Sequence, residues 1–209
     1  LTAKRVWLRG LLGLLVPILG SAATLSFSGS FKLDEDAVLI PFTLSVPTAI
    51  TIRTTSFADG SVGFEPVLTL YDGPGALLLQ DATGGTVPGG CGVRSIDATS
   101  GYCLDAVIQA VLGAGSYTVA LTEWDNVPSG PTLGDGFPQT GNGNFTGPEF
   151  IGAPGAFILF DGSQRTDHWS LQIIGADAAK VPEPATATLT LAALATLAAW
   201  GRRAQRRQQ

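Results

Sequence analysis

The residues in this chain that could do chemistry are mostly carboxylates, and they fall at turns. Asp34, Glu35 and Asp36 are consecutive before an apolar run; Asp72 opens an Asp-Gly-Pro-Gly turn; Asp81 follows the next run; Asp125 and Asn126 close another, with Asp135 beyond. A calcium ion takes six to eight oxygens from such loops, so Asp34, Asp36, Asp72, Asp125 and Asn126 are the candidate Ca2+ ligands. Neither EF-hand spacing nor a nonapeptide repeat accompanies them, and Asp and Asn also serve simply to close turns. Trp124 sets an aromatic face beside Asp125 and Asn126, the pairing a sugar site uses; core packing or an edge position accounts for it equally well. Catalytic parts are scarce. His168 is the only histidine, next to Trp169, and no GxSxG elbow surrounds a serine. A glycosidase needs two carboxyl groups at a set separation, which the sequence does not display. The expectation is a binding module and no enzyme.

The cysteines are Cys91 and Cys103, with eleven residues between them. With no CxxC spacing and one histidine, zinc and redox sites lack parts. In an exported chain the default is a Cys91–Cys103 disulfide.

These residues must be positioned by strands. Leu25, Phe27, Phe31 and Leu33 alternate with small or polar residues, the period of a strand with one buried face. Further strands are predicted at 37–46, 48–55, 65–71, 76–80, 104–112, 115–124, 156–160 and 168–175. Many are separated by turn residues: Val46-Pro47, Asp72-Gly73-Pro74-Gly75 and Gly113-Ala114-Gly115. Short strands with close turns and no long helical period predict an all-β protein, a two-sheet antiparallel β-sandwich. Phe31, Phe42, Ile50, Ile52, Leu68, Leu70, Val107, Val119, Leu121, Trp169, Leu171 and Ile173 are among the expected core. Residues 81–103 and 126–155 lack strand pattern: the first is expected to be stapled by the cysteines, the second to lie over the surface.

The two ends differ from this body. Lys4, Arg5 and Arg9 precede an apolar run, Leu11 to Leu19, and then Gly20-Ser21-Ala22-Ala23. Residues 1–23 therefore read as a secretory signal helix. Residue 1 is Leu and the chain has no Met, which a non-ATG start or a truncation would each explain. At the other end, Val181-Pro182-Glu183-Pro184 is followed by uncharged residues 185–200, rich in the helix formers Ala and Leu, and a basic end, 201–209, with Arg202, Arg203, Arg206 and Arg207. Sixteen helical residues span roughly 24 Å, somewhat less than a ~30 Å hydrocarbon core, so a C-terminal transmembrane helix is expected, its arginines on the cytoplasmic side. The domain between, 24–179, holds 16 of the 17 acidic residues and only four of the 12 basic ones. Such an acidic body excludes nucleic acid as a partner, since phosphate binding needs a basic footprint.

The Pro-Glu-Pro box, apolar helix and arginine cluster of 180–209 resemble the PEP-CTERM sorting tail. That resemblance implies an exosortase as processing partner, passage through the inner membrane, and delivery to the cell surface or extracellular matrix of an exopolysaccharide-making bacterium. The body offers a second resemblance. Leu25 to Phe31, Asp34-Glu35-Asp36, Pro41 to Leu44, Phe64 to Gly73, Ala114 to Thr122 and Asp125-Asn126 are similar to a domain type that accompanies such tails. They are similar, more distantly, to the bacterial pre-peptidase C-terminal domain. That kinship implies a jelly-roll-like sandwich, often calcium-binding, used for attachment. The expected function is structural or adhesive within an exopolysaccharide or biofilm matrix; the alternative is a calcium-dependent carbohydrate-binding module.

Overall fold

Period-two segments bounded by Gly, Pro and Asp form eight strands in the computed structural model, which describes residues 23–82 and 91–176. They are β1 (Thr24–Ser30), β2 (Val38–Leu44), β3 (Thr48–Thr54), β4 (Pro66–Asp72), β5 (Leu77–Asp81), β6 (Val107–Leu112), β7 (Gly115–Glu123) and β8 (His168–Ile174). One sheet has the order β1-β8-β3-β6, the other β2-β7-β4-β5, and every pairing is antiparallel. Except at the β4–β5 hairpin, each connection crosses between sheets. This winding is that of an eight-stranded jelly roll. The only helices among the described residues are a 3-10 turn at Leu133–Asp135 and α1 (Thr146–Phe150). No helix among them is long and apolar enough to cross a membrane. The expected signal helix (1–23, apart from Ala23) and the sorting tail (180–209) lie outside the described residues.

The core forms where alternate positions of both sheets meet. Ile40, Phe42 and Leu44 of β2, Leu68 and Leu70 of β4, and Val119 and Leu121 of β7 face Ile50, Ile52, Ile108, Leu171 and Ile173. Phe31, Phe64 and Phe157 stack at one end, with centroids 4.7 and 5.7 Å apart. Burial of side chains of this size contributes about 1.5–3 kcal/mol each. Gly29 is required by the core: a Cβ there would lie 2.7 Å from the Trp169 ring.

Three expectations need correction. Residues 156–160 are not a strand. Phe157 takes a left-handed φ of 53°, and Ile158 makes only an isolated bridge with Gln164. The turn is held by hydrogen bonds, so apolar content misled. Val107 is not in the core; Ile108, Ala110 and Leu112 face inward and Val107 lies on the opposite face of β6. Leu33, beyond the end of β1, is 36% exposed.

Residues 126–155 form a strap over the outer face of the β2-β7-β4-β5 sheet. Asn126 sits at one end of the sheet; Leu77 N donates to Pro131 O (2.8 Å) and Leu133 N to Gly75 O (2.8 Å) at the other; Asn144 to Thr146 return to the first. Val67, Thr69, Tyr71, Ala120 and Thr122, on the face away from the core, are accordingly buried, and β4 is covered on both sides.

Cys91 and Cys103 form the disulfide, with Cα atoms 5.5 Å apart. It anchors a segment packed against a small second core of Phe57, Leu104 and Leu159. Closing a loop of this size stabilises by roughly 3 kcal/mol in the chain-entropy treatment. Replacing both cysteines with serine is therefore expected to lower the unfolding free energy by about that amount, read from urea unfolding extrapolated to water; a value equal to that of the oxidised protein would refute it.

Candidate functional site

All the long connections gather at one end of the sandwich. Ser30 pairs with His168, Thr54 with Leu171, Arg53 with Val107, Pro66 with Glu123, Val38 with Leu121 and Leu68 with Asp81. The connections following β1, β3, β5 and β7 therefore leave from the same end. At the opposite end the strands are joined by short turns, the strap reaches one of them at Gly75 to Leu77, and there the described chain both begins, at Ala23, and ends, at Ala176.

The loop-rich end holds most of the residues singled out from the sequence. Asp34 is fully buried. Its carboxylate accepts from the N–H groups of Phe145 (3.2 Å), Thr146 (3.1 Å) and Phe157 (3.3 Å) and from the Thr146 hydroxyl. It ties the β1–β2 connection to the strap. Asp36 accepts from the N–H groups of Lys32 (2.7 Å) and Leu33 (3.1 Å), closing its own turn. Asn126 is fully buried; its amide donates to Glu35 O (2.9 Å) and accepts from Gln139 N (3.1 Å). Trp124 and Asp125, joined by a cis peptide bond, are half-buried in the turn after β7. Asp72 is elsewhere. It lies at the far end of β4, six residues from Pro66, or roughly 20 Å along a strand, and accepts from Ala76 N (2.7 Å) within its hairpin. The fold thus brings Asp34, Asp36, Trp124, Asp125 and Asn126 to one end and puts Asp72 at the other. Among the described residues no group of three or more His, Cys, Asp or Glu converges in a way that could hold a metal. His168 is half-buried at the start of β8.

The same end contains ionisable groups that the sequence reading passed over. Glu65 and Glu123 are 6% and 2% exposed, and the Oε2 of each has no hydrogen-bond partner. Burial pushes the Glu65 carboxyl up to about 7. Burial, then the Asp34 and Glu65 charges, push Glu123 well above the usual carboxyl range, against the pull of Arg165. Arg165 is itself buried. Its Nε and one terminal nitrogen donate to Gly63 O (2.9 Å) and Phe57 O (2.8 Å), its other nitrogen is 3.5 Å from Asp97, and its guanidinium lies 3.8 Å above the Phe57 ring. Asp105 accepts from the Thr54 hydroxyl (2.8 Å) and from Phe57 N (3.2 Å) and Ala58 N (3.1 Å). Strand parity signals Glu123, since it shares the inward phase of Val119 and Leu121. Nothing local signals Asp105 or Arg165, whose partners lie about 50 and 100 residues away. Asp105 and Arg165 hold loops in place, whereas Glu65 and Glu123 each leave an Oε2 without a partner.

The outer face of the β1-β8-β3-β6 sheet carries a polar group of residues on β1, β8 and the end of β3. Arg53 donates through two nitrogens to Gln172 Oε1 (3.0 and 2.8 Å), and the Thr55 and Ser170 hydroxyls are 2.6 Å apart. Ser26, Ser28 and Ser30 lie exposed beside them.

Fold and site together define a two-sheet β-sandwich with loops gathered at one end and both described termini at the other. Residues 180–207 match the PEP-CTERM protein-sorting motif. That motif marks an exported protein, sorted by an exosortase through the membrane to the cell surface. No curated protein matches the chain.

Proposed function

We propose that this chain is a non-catalytic surface or matrix module, released from its membrane intermediate by an exosortase and serving a structural or adhesive role among exopolysaccharide chains. The carrying observation is the sorting motif at 180–207 following a sandwich that ends, at Ala176, on the side opposite its loops. A tail held in the membrane then leaves the loop-rich end facing away from it. The polar face built from Ser26, Ser28, Ser170, Gln172, Arg53 and Thr55 gives hydroxyl-rich polymers a set of donors and acceptors. Kinship of the body with pre-peptidase C-terminal domains fits this role and forms part of the proposal.

Fractionating cells with and without the exosortase, and determining the mature C-terminus by mass spectrometry, tests the reading. With the enzyme, the chain is expected outside the cell and to end before the apolar run 185–200. Without it, uncut chain is expected in the membrane fraction. Uncut chain in the cytoplasm with reduced Cys91 and Cys103 would refute the proposal.

A further inference from the structure

Of the four strands that border the two sheets, β1 is the least protected among the described residues. β2 carries Pro41 at its centre, which removes a donor and is a common defence of sheet edges. β5 is short and its pairing with β4 shifts register between Leu70 and Tyr71. β6 faces β5 across a groove, and its Val107 N–H already donates to Asp81 (2.6 Å). β1, with sequence Thr-Leu-Ser-Phe-Ser-Gly-Ser, has no charge, no proline and no register shift.

The hydrogen-bond phase of β1 can be read from its ends. Ala23 O accepts from Gly175 N (3.0 Å), and Phe31 N donates to Asp167 O (3.0 Å). In an antiparallel ladder, bonded pairs alternate with non-bonded ones, so the odd-numbered residues of β1 bond to β8. The N–H and C=O groups of Thr24, Ser26, Ser28 and Ser30 therefore point out from the sheet edge, and these four residues are exposed. On the core side, Leu25 and Phe27 are only half-buried.

We propose that β1 is a homotypic docking edge, on which a second copy of this chain adds its own β1 in antiparallel register about a two-fold axis at Phe27. That register sets Thr24 opposite Ser30 and Ser26 opposite Ser28, so every outward main-chain group finds a partner, each pair exchanging two bonds. Shifting the register leaves some unpaired. The two Phe27 side chains meet at the axis in a non-hydrogen-bonded pair, where side chains approach closely, and their exposed portions are covered. Charge selects the same geometry. The charged neighbours of the edge, Lys32 and Asp167, lie at its Ser30 end, while the described residues at its Thr24 end, Ala23 and Ile174 to Ala176, are uncharged. Antiparallel pairing keeps the Lys32 and Asp167 of one copy at the far end from those of the other; parallel pairing would bring like charges to the same end. A closed two-fold contact of this kind is self-complementary, which is the reason for choosing a second copy over a foreign strand.

The test uses the full chain in detergent micelles, with mass followed by sedimentation velocity across a concentration series. Wild type is expected to dimerise. The double variant Ser26→Lys, Ser28→Lys sets lysines directly opposite one another across the axis and is expected to weaken the dimer at least about tenfold. Ser26→Lys, Ser28→Glu sets lysine opposite glutamate in this register alone and is expected to restore it. A monomeric wild type, an undiminished Lys/Lys dimer, or a Lys/Glu variant as weak as Lys/Lys would each overturn the proposal. Hydrogen exchange on the unmodified chain gives a readout free of folding effects. The Ser26 and Ser28 amides are expected to gain protection as concentration rises, and fast exchange at every concentration would overturn the proposal equally.

Discussion

Replacing Asp34 with alanine is expected to cost about 4 kcal/mol of folding stability, a large share of what a domain of this size has. The carboxylate is fully buried and accepts from three main-chain N–H groups and a hydroxyl, all from chain more than 100 residues away. Removing it leaves those donors without water or partner, and each buried orphan costs about 1–3 kcal/mol before relaxation. Asn is not an adequate substitute. It keeps one acceptor oxygen and turns an NH2 group toward other donors, so Asp34→Asn should lose about half as much. Denaturation in urea measures both variants. Amide exchange at Phe145, Thr146 and Phe157 should accelerate in step, because the strap and the 157 turn lose their common anchor. Asp36→Ala is the matched control: Asp36 closes only its own turn, and a loss under about 1 kcal/mol is expected. Equal losses at Asp34 and Asp36 would refute this account of the strap.

The second large effect is on pH. Glu65 holds its proton to about pH 7 in the folded protein against 4.5 as the ordinary value. Between those values the folded state binds more protons than the unfolded one, so stability falls as pH rises. Below 4.5 both states are protonated and there is no penalty; above 7 the penalty is constant. At 1.36 kcal/mol per unit, the loss across the window is about 3 kcal/mol. Glu123, also raised by burial and then by the Asp34 and Glu65 charges, adds a decline of the same sign. Glu65→Gln cannot ionise. It should match wild type near pH 4 and exceed it by up to about 3 kcal/mol at pH 8. Urea midpoints at the two pH values decide; parallel curves for the two proteins would show that the Glu65 carboxyl is not held protonated.

Most strands were legible because their signal is local. Alternation in Phe42 to Leu44, Ile50 to Ile52 and Trp169 to Ile173 survives folding, since one face of each strand meets the core. Where both faces are buried the rule is weaker. β4 reads as a strand from its apolar content, but its burial on both sides comes from the strap, which lies more than 50 residues ahead. Residues 156–160 misled because apolar side chains there fill a turn fixed by Asp34 and Gln164. The candidate oxygens were half legible. Turn chemistry found Asp34, Asp36, Asp72, Asp125 and Asn126, but not that Asp34 spends its carboxylate on remote amides, nor that Asp72 sits at the far end.

The sequence alone determined what depends on neighbours along the chain: the strand periods, the turns, the pairing of the only two cysteines, and the sorting tail, whose box, apolar run and arginines are contiguous. Tertiary structure alone decided which connections share an end, which sheet face the strap covers, which carboxyls lose water, and which edge is bare among the described residues. Those properties arise from contacts across 50 to 120 residues. Burial and hydrogen-bond satisfaction are set by what arrives from elsewhere in the chain, and no local pattern encodes that arrival.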